Sequence, residues 1–127
     1  MAEKPCNLLK NGGGMSLQGV EHGTIGVPWQ STQTYIAYNL TKAFDNDTDG
    51  LITLTFEASG TTLFTATLPI NRFKTTPAVV LWYFDNVNWY YYYVRWNSLN
   101  KIDIAPNPGN PQVTNYIRIM TYGNVKQ

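Results

Sequence analysis

Residues 51–68 read Leu-Ile-Thr-Leu-Thr-Phe-Glu-Ala-Ser-Gly-Thr-Thr-Leu-Phe-Thr-Ala-Thr-Leu. From Leu51 to Ala58 the even positions Ile52, Leu54, Phe56 and Ala58 are apolar, while Thr53, Thr55 and Glu57 between them are polar. A strict period of two puts one set against a core and the other in water, the mark of a half-buried strand. After the short Ser59-Gly60 link the pattern resumes, with Phe64, Ala66 and Leu68 inward and Thr65 and Thr67 outward, which predicts a tight β-hairpin.

Working outward, Tyr35 to Leu40 forms a first candidate strand, followed by an acidic turn from Asp45 to Gly50. Pro69, Pro77 and Thr75-Thr76 punctuate a segment suited to crossing from one sheet to another. Two aromatic strands come next, from Val79 to Trp96, joined by the polar turn Asp85-Asn86-Val87-Asn88. Leu99 to Ala105 reads as a further strand, with Lys101 and Asp103 facing away from Ile102 and Ile104. The proline-rich loop of residues 106–111 precedes a last strand, Val113 to Tyr122, on which Val113, Ile117 and Ile119 share a face. No stretch shows a helical period. About seven strands with turns between them predict an all-β fold, an antiparallel β-sandwich of jelly-roll-like type. In residues 1–32, Pro5, Gly12-Gly13-Gly14, Gly19, Gly23, Gly26 and Pro28 are closely spaced. They read as an irregular glycine-rich arm or linker before a single domain over residues 33–127.

At 127 residues the chain is long enough to bury roughly two thirds of its unfolded surface without metals or disulfides. Only 13% of residues are charged and the net charge is +1, so no basic field exists for neutralising phosphates and nucleic acid is not expected as a partner. Cys6 is the only cysteine, which excludes an internal disulfide and fits folding in a reducing cytoplasm. The opening Met-Ala-Glu-Lys-Pro lacks the apolar core of a signal peptide, and no run is long enough to span a bilayer; export by the usual route and membrane insertion are not expected.

The chemistry concentrates in the aromatic hairpin. Strand geometry gives Trp89, Tyr91, Tyr93 and Arg95 one face, and Tyr90, Tyr92, Val94 and Trp96 the other. One core needs one aromatic face. Rings left outside suit stacking on the C–H faces of sugars, with Arg95 on the strand and Asp85, Asn86 and Asn88 at its turn able to meet ring hydroxyls. The same rings equally suit burial in an oligomer or against another protein.

Asp45-Asn46-Asp47-Thr48-Asp49-Gly50 reproduces the first half of a calcium loop, making Asp45, Asp47 and Asp49 candidate ligands for a hard cation. Phe56 stands where the closing bidentate acid belongs, with Glu57 one place late, and acidic turns of this kind also form without metal. Two glycosylation sequons, at Asn39 and Asn46, require a secretory route to matter. The lone His22 excludes a His-rich zinc site, and with Cys6 it makes a poor nucleophile and base. Glu57, Asp85 and Asp103 are the acids from which a glycosidase pair would be drawn, with nothing selecting two of them.

Three stretches resemble the carbohydrate-binding-like jelly-roll modules of bacteriophage tail and baseplate proteins. They are Asn7-Leu8-Leu9-Lys10-Asn11-Gly12, the run from Tyr38 to Phe44 leading into Leu51 to Ala58, and Ile117 to Asn124. The resemblance implies a non-enzymatic, cofactor-free module of a virion tail fibre or baseplate tip, made in the host cytoplasm and acting outside it. Its partners would be a host surface glycan, other virion proteins and copies of itself, with a trimer as the candidate oligomer. A structural decoration or tail-assembly protein is the alternative, and a glycan hydrolase a third.

Overall fold

The computed structural model describes residues 17–45 and 50–124. Eight strands run in the order β1 (Leu17–Val27), β2 (Ile36–Asn39), β3 (Leu51–Ala58), β4 (Thr61–Pro69), β5 (Val79–Phe84), β6 (Trp89–Ser98), β7 (Lys101–Pro106) and β8 (Asn115–Asn124), with a one-turn helix α1 (Ile70–Phe73) between β4 and β5. They form two four-stranded sheets: sheet I in the order β1-β8-β3-β4 and sheet II in the order β2-β7-β6-β5. Every pairing is antiparallel. The fold is the expected β-sandwich. As in a jelly roll, the first strand pairs with the last in one sheet and the second with the seventh in the other. It departs where β3–β4 and β5–β6–β7 each stay within one sheet as hairpins.

The alternation of β3 sets the core. Ile52, Leu54 and Phe56 are fully buried and face Leu81, Tyr92, Val94, Ile102 and Ile104 of sheet II, with Ile25 and Val27 of β1 and Ile117 and Ile119 of β8 beside them. The β3–β4 turn has positive φ at both central residues, 52° at Ser59 and 76° at Gly60. That is the combination a two-residue type I′ hairpin requires to match the strand twist. At the other end of β3, Gly50 has φ 97°, and a β-carbon there would land on the Tyr122 carbonyl oxygen, so only glycine lets β3 start against β8.

The crossing segment after Pro69 contains α1, which its length of one turn hides from any periodicity. Ile70 and Phe73, one turn apart, both plug the open side of the core. Val113 lies before β8 and is exposed instead of sharing the buried face of Ile117 and Ile119.

The reading of residues 1–32 as an irregular arm is corrected over Leu17–Val27, which form β1 and pair with β8 along its whole length. The sandwich therefore starts before residue 33; residues 1–16, Cys6 among them, lie outside the described residues. The glycines that read as breakers are sites of close approach. Gly19 stands opposite Tyr122 and Gly26 opposite Tyr116, and added β-carbons would come within 2.9 and 3.3 Å of those rings, which lie across the bare backbone. A register shift between Glu21 and Gly23 moves the inward phase from His22 to Ile25 and Val27, so no single period of two runs through the strand.

Candidate functional site

Sheet II carries the aromatic hairpin, and its pleat divides the rings as the spacing demands. Tyr90, Tyr92, Val94 and Trp96 turn inward. Tyr92 packs with Phe56 at a centroid distance of 5.0 Å, and its hydroxyl accepts a hydrogen bond from Asn115 Nδ2 at 2.9 Å. Burial pushes its pKa above the usual tyrosine value. Tyr90 donates to Asp85 Oδ2 at 3.1 Å, and burial followed by the neighbouring carboxylate raises its pKa.

The other set lies on the outer face. Trp89 is 48% exposed and Trp82, on the neighbouring strand, 46%. Around Trp89 stand Tyr91 at 5.9 Å with its ring nearly parallel (9°), Phe84 at 4.7 Å and Trp82 at 6.0 Å. Phe64 of β4 extends the chain of rings, 5.3 Å from Trp82. Val80 and Val87 are also exposed beside them. Large rings in water on a face the core does not use make a contiguous apolar surface of the kind that marks recognition sites.

Further along the face the chemistry turns polar. Arg95 Nε donates to Asp103 Oδ2 at 2.9 Å, Asn97 Nδ2 donates to Asp103 Oδ1 at 2.7 Å, and the Arg95 guanidinium lies 3.8 Å from the centroid of the Tyr35 ring. Asp103, 8% exposed, thus has a donor on each oxygen. Tyr93, between the aromatic and polar ends, meets Asn107 Nδ2 at 3.4 Å through its hydroxyl.

The proline-rich loop between β7 and β8 forms the border of this surface. β7 ends at Pro106, opposite Tyr92, and beyond it the Tyr91 N–H would lack a ladder acceptor. Asn110, itself buried, supplies one from its side chain: its Oδ1 accepts from Tyr91 N at 2.8 Å and its Nδ2 donates to Tyr91 O at 2.9 Å, which also accepts from Asn107 N at 3.0 Å. Trp29 Nε1 donates to Pro108 O at 3.1 Å and holds the loop from the β1 side.

The turn residues divide differently from the expectation. Asp85 faces its own hairpin: Oδ1 accepts from Asn88 N at 2.6 Å and Val87 N at 2.9 Å, while Oδ2 takes the Tyr90 hydroxyl. The Asn88 and Val87 amides hold its carboxyl below the usual carboxylate range. Asn86, at φ 80°, and Asn88 are exposed. Trp89, Tyr91, Tyr93 and Arg95 are brought together on one face; Asp85 serves the turn.

The three acids considered for hydrolysis do not converge. Glu57 points from the outer face of sheet I beside Arg118, Asp103 is engaged by Arg95 and Asn97 on the outer face of sheet II, and Asp85 is engaged at the turn. Asp45 is exposed, whereas Asp47 and Asp49 fall outside the described residues. Among the described residues no three His, Cys, Asp or Glu side chains are grouped to hold a metal ion. His22 is buried: its Nδ1 meets the Lys42 carbonyl oxygen at 2.9 Å and its Nε2 the Thr121 hydroxyl at 2.7 Å. A carbonyl only accepts, so Nδ1 carries the proton and donates.

Sequence reasoning passed over Trp82, Phe84, Tyr35, Asn97, Asp103, Asn107 and Asn110 as parts of this surface. The signal for Trp82 and Phe84 was present, since they alternate with Leu81 on β5. For Asn107 and Asn110 there was none, because a side chain replacing a strand leaves no period. No family model, curated protein or solved structure matches the chain.

Proposed function

We propose that the outer face of sheet II binds carbohydrate without transforming it, and that the protein is a virion module, on a tail fibre or baseplate tip, that attaches to host surface glycan. The observation that carries this reading is the half-exposed pair Trp82 and Trp89 on a sheet whose inward face already holds a full set of rings. Trp89 and Tyr91 offer flat apolar surface to sugar C–H faces, and Arg95, Asn97, Asn86 and Asn88 offer planar donors and acceptors to hydroxyls along the same strand and its turn. The separated carboxylates support recognition over hydrolysis, which needs an acid paired with a base or nucleophile across one bond. The virion setting rests on the resemblance described above. Several copies on one particle would turn weak stacking into firm attachment.

Binding to an array of bacterial surface glycans tests this reading. Hits that disappear in Trp89→Ala and Tyr91→Ala, with circular dichroism unchanged, are expected; hits indifferent to both changes would overturn the assignment of this face.

A second reading, a structural virion protein whose face docks another protein, is favoured by one feature. Val80, Phe84 and Val87 have no side-chain polar atom to offer a hydroxyl. An array without hits, together with protection of Trp82 and Trp89 fluorescence from quenchers in assembled particles, would select it.

A further inference from the structure

The four edge strands of the sandwich are protected unequally. On one side, β1 carries Glu21 and a bulge, and its His22 carbonyl accepts from Thr41 N at 2.9 Å and Lys42 N at 3.2 Å; β2 beside it is only four residues long. Short length, bulges, charges and covering segments are the usual means of stopping an edge from pairing with another chain. On the opposite side, β4 and β5 contain no charged residue at all. At β5 the Phe64 ring lies against Trp82. β4 runs for nine residues with its proline only at the last position, and among the described residues it pairs with β3 alone.

The register says which groups of β4 point away from β3. Ile70 N donates to Gly50 O at 2.9 Å, and the β3–β4 register continues unbroken from there to Phe56 opposite Phe64. Alternate residues of an antiparallel strand direct their N–H and C=O to opposite sides. Leu68, Ala66 and Phe64 therefore bond β3, and Thr67 and Thr65 direct theirs outward along an edge that pairs with no other described strand.

We propose that two copies of this chain pair antiparallel along β4, with the two-fold axis at Ala66, to make one continuous eight-stranded sheet from the two copies of sheet I. The edge is self-complementary in that register. Thr65 meets the partner's Thr67 and Thr67 the partner's Thr65, each pair exchanging backbone hydrogen bonds. On the outer face the rows Thr55–Thr65 and Thr53–Thr67, already aligned across β3 and β4 and joined in one case by a 3.2 Å hydroxyl contact, continue into the partner's rows as two ladders of four threonines. On the inner face Phe64 meets the partner's Leu68, covering side chains that are only partly buried in one copy. This inference concerns the β4 edge, which touches the aromatic face only through Phe64, and stands whether or not that face binds sugar.

Sedimentation velocity of the full chain over a dilution series tests it, with Thr65→Lys/Thr67→Lys to charge the edge and Ala66→Cys, in a Cys6→Ser background, to report the axis. A reversible dimer is expected for the unmodified chain, a monomer with unchanged circular dichroism for the double lysine variant, and an oxidised, detergent-resistant dimer for Ala66→Cys, since opposed residues at a non-hydrogen-bonded position lie within disulfide reach. A chain monomeric at every concentration would overturn the proposal, as would a dimer that survives both lysines. Should the lysine variant fail to fold, the cross-link decides: dimers of Ala66→Cys that resist oxidation to a covalent pair would remove this register.

Discussion

On sheet I the outward positions of β3 and β4 include Thr53, Thr55, Glu57, Thr65 and Thr67, with Tyr116 and Tyr122 of β8 beyond them across the β1 glycines; on sheet II those of β5 and β6 are Val80, Trp82, Phe84, Trp89, Tyr91 and Tyr93. The inward positions of both are apolar, so the two faces share one core, but the β3–β4 hairpin meets water mainly through threonines where the β5–β6 hairpin does so through rings. Each face also carries an arginine ion pair among the described residues. Arg118 grips Glu21 through both carboxylate oxygens, at 2.7 to 3.0 Å, with the two side chains about equally exposed at 43% and 44%. Arg95 holds an Asp103 side chain that is 11% exposed. The β3–β4 hairpin turns hydroxyls to the solvent. The β5–β6 hairpin turns rings to it, with the nearly buried Asp103 carboxylate beside them on β7, and this excess on the face away from the core is the basis of the proposed recognition.

The comparison breaks first if ring for ring the outer face proves as important to stability as the core. Phe56→Ala removes a ring in contact with Tyr83, Tyr90 and Tyr92 and should cost about 3–5 kcal/mol in urea denaturation. Trp89→Ala, equally large but half in water, should cost about 1 kcal/mol, the scale of an exposed aromatic pair. Equal losses would mean that the outer rings are structural. Next in size are the ion pairs. Arg95→Met strips a nearly buried carboxylate of one donor and should cost about 1–3 kcal/mol. A double-mutant cycle of Glu21→Gln and Arg118→Met should return only about 0.2–1 kcal/mol, shrinking in high salt. Matching values for the two pairs would erase the distinction between the faces.

The smallest effect is at the tip of the aromatic hairpin. The folded Asp85 carboxyl titrates below its unfolded value, so its contribution is present above the ordinary carboxylate range and lost as pH falls through the depressed folded value. The protection of the Val87 and Asn88 amides, which donate to Asp85, taken relative to the intrinsic exchange rate at each pH, should therefore fall only below the ordinary carboxylate range. In Asp85→Ala that step should vanish. A step at higher pH, or one that persists in the variant, would assign it to another group.

Much of the frame was legible because alternation survives wherever a strand is regular and half buried. Leu51–Ala58 begins and ends where its pattern does, and the assignment of Trp89, Tyr91, Tyr93 and Arg95 to one face follows from the pleat alone. β1 was illegible for two physical reasons: its bulge reverses the phase partway along, and its glycines owe their place to tyrosines about a hundred residues away on β8. The polar half of the candidate site was partly legible. Arg95 and Asp103 stand opposite each other across β6 and β7, but nothing local reveals that Asn97 completes the carboxylate's partners or that Tyr35 lies beneath the guanidinium. Asp85 misled because its two roles, turn former and hydroxyl acceptor, call for the same residue type, and only its hydrogen bonds tell them apart.

Asn110 gives the rim of this surface an unusual freedom. Since one side-chain amide seals the end of the β6 ladder by gripping both polar atoms of Tyr91, the neighbouring positions Gly109, Gln112 and Val113 are not needed to close the sheet. The loop is pinned at three points, by the Asn110 side chain, the Asn107 amide and the Trp29 indole. On the proposed function, exchanging the residues between those pins would refit the rim to a new target while the rings behind it, and the register that orders them, stay as they are.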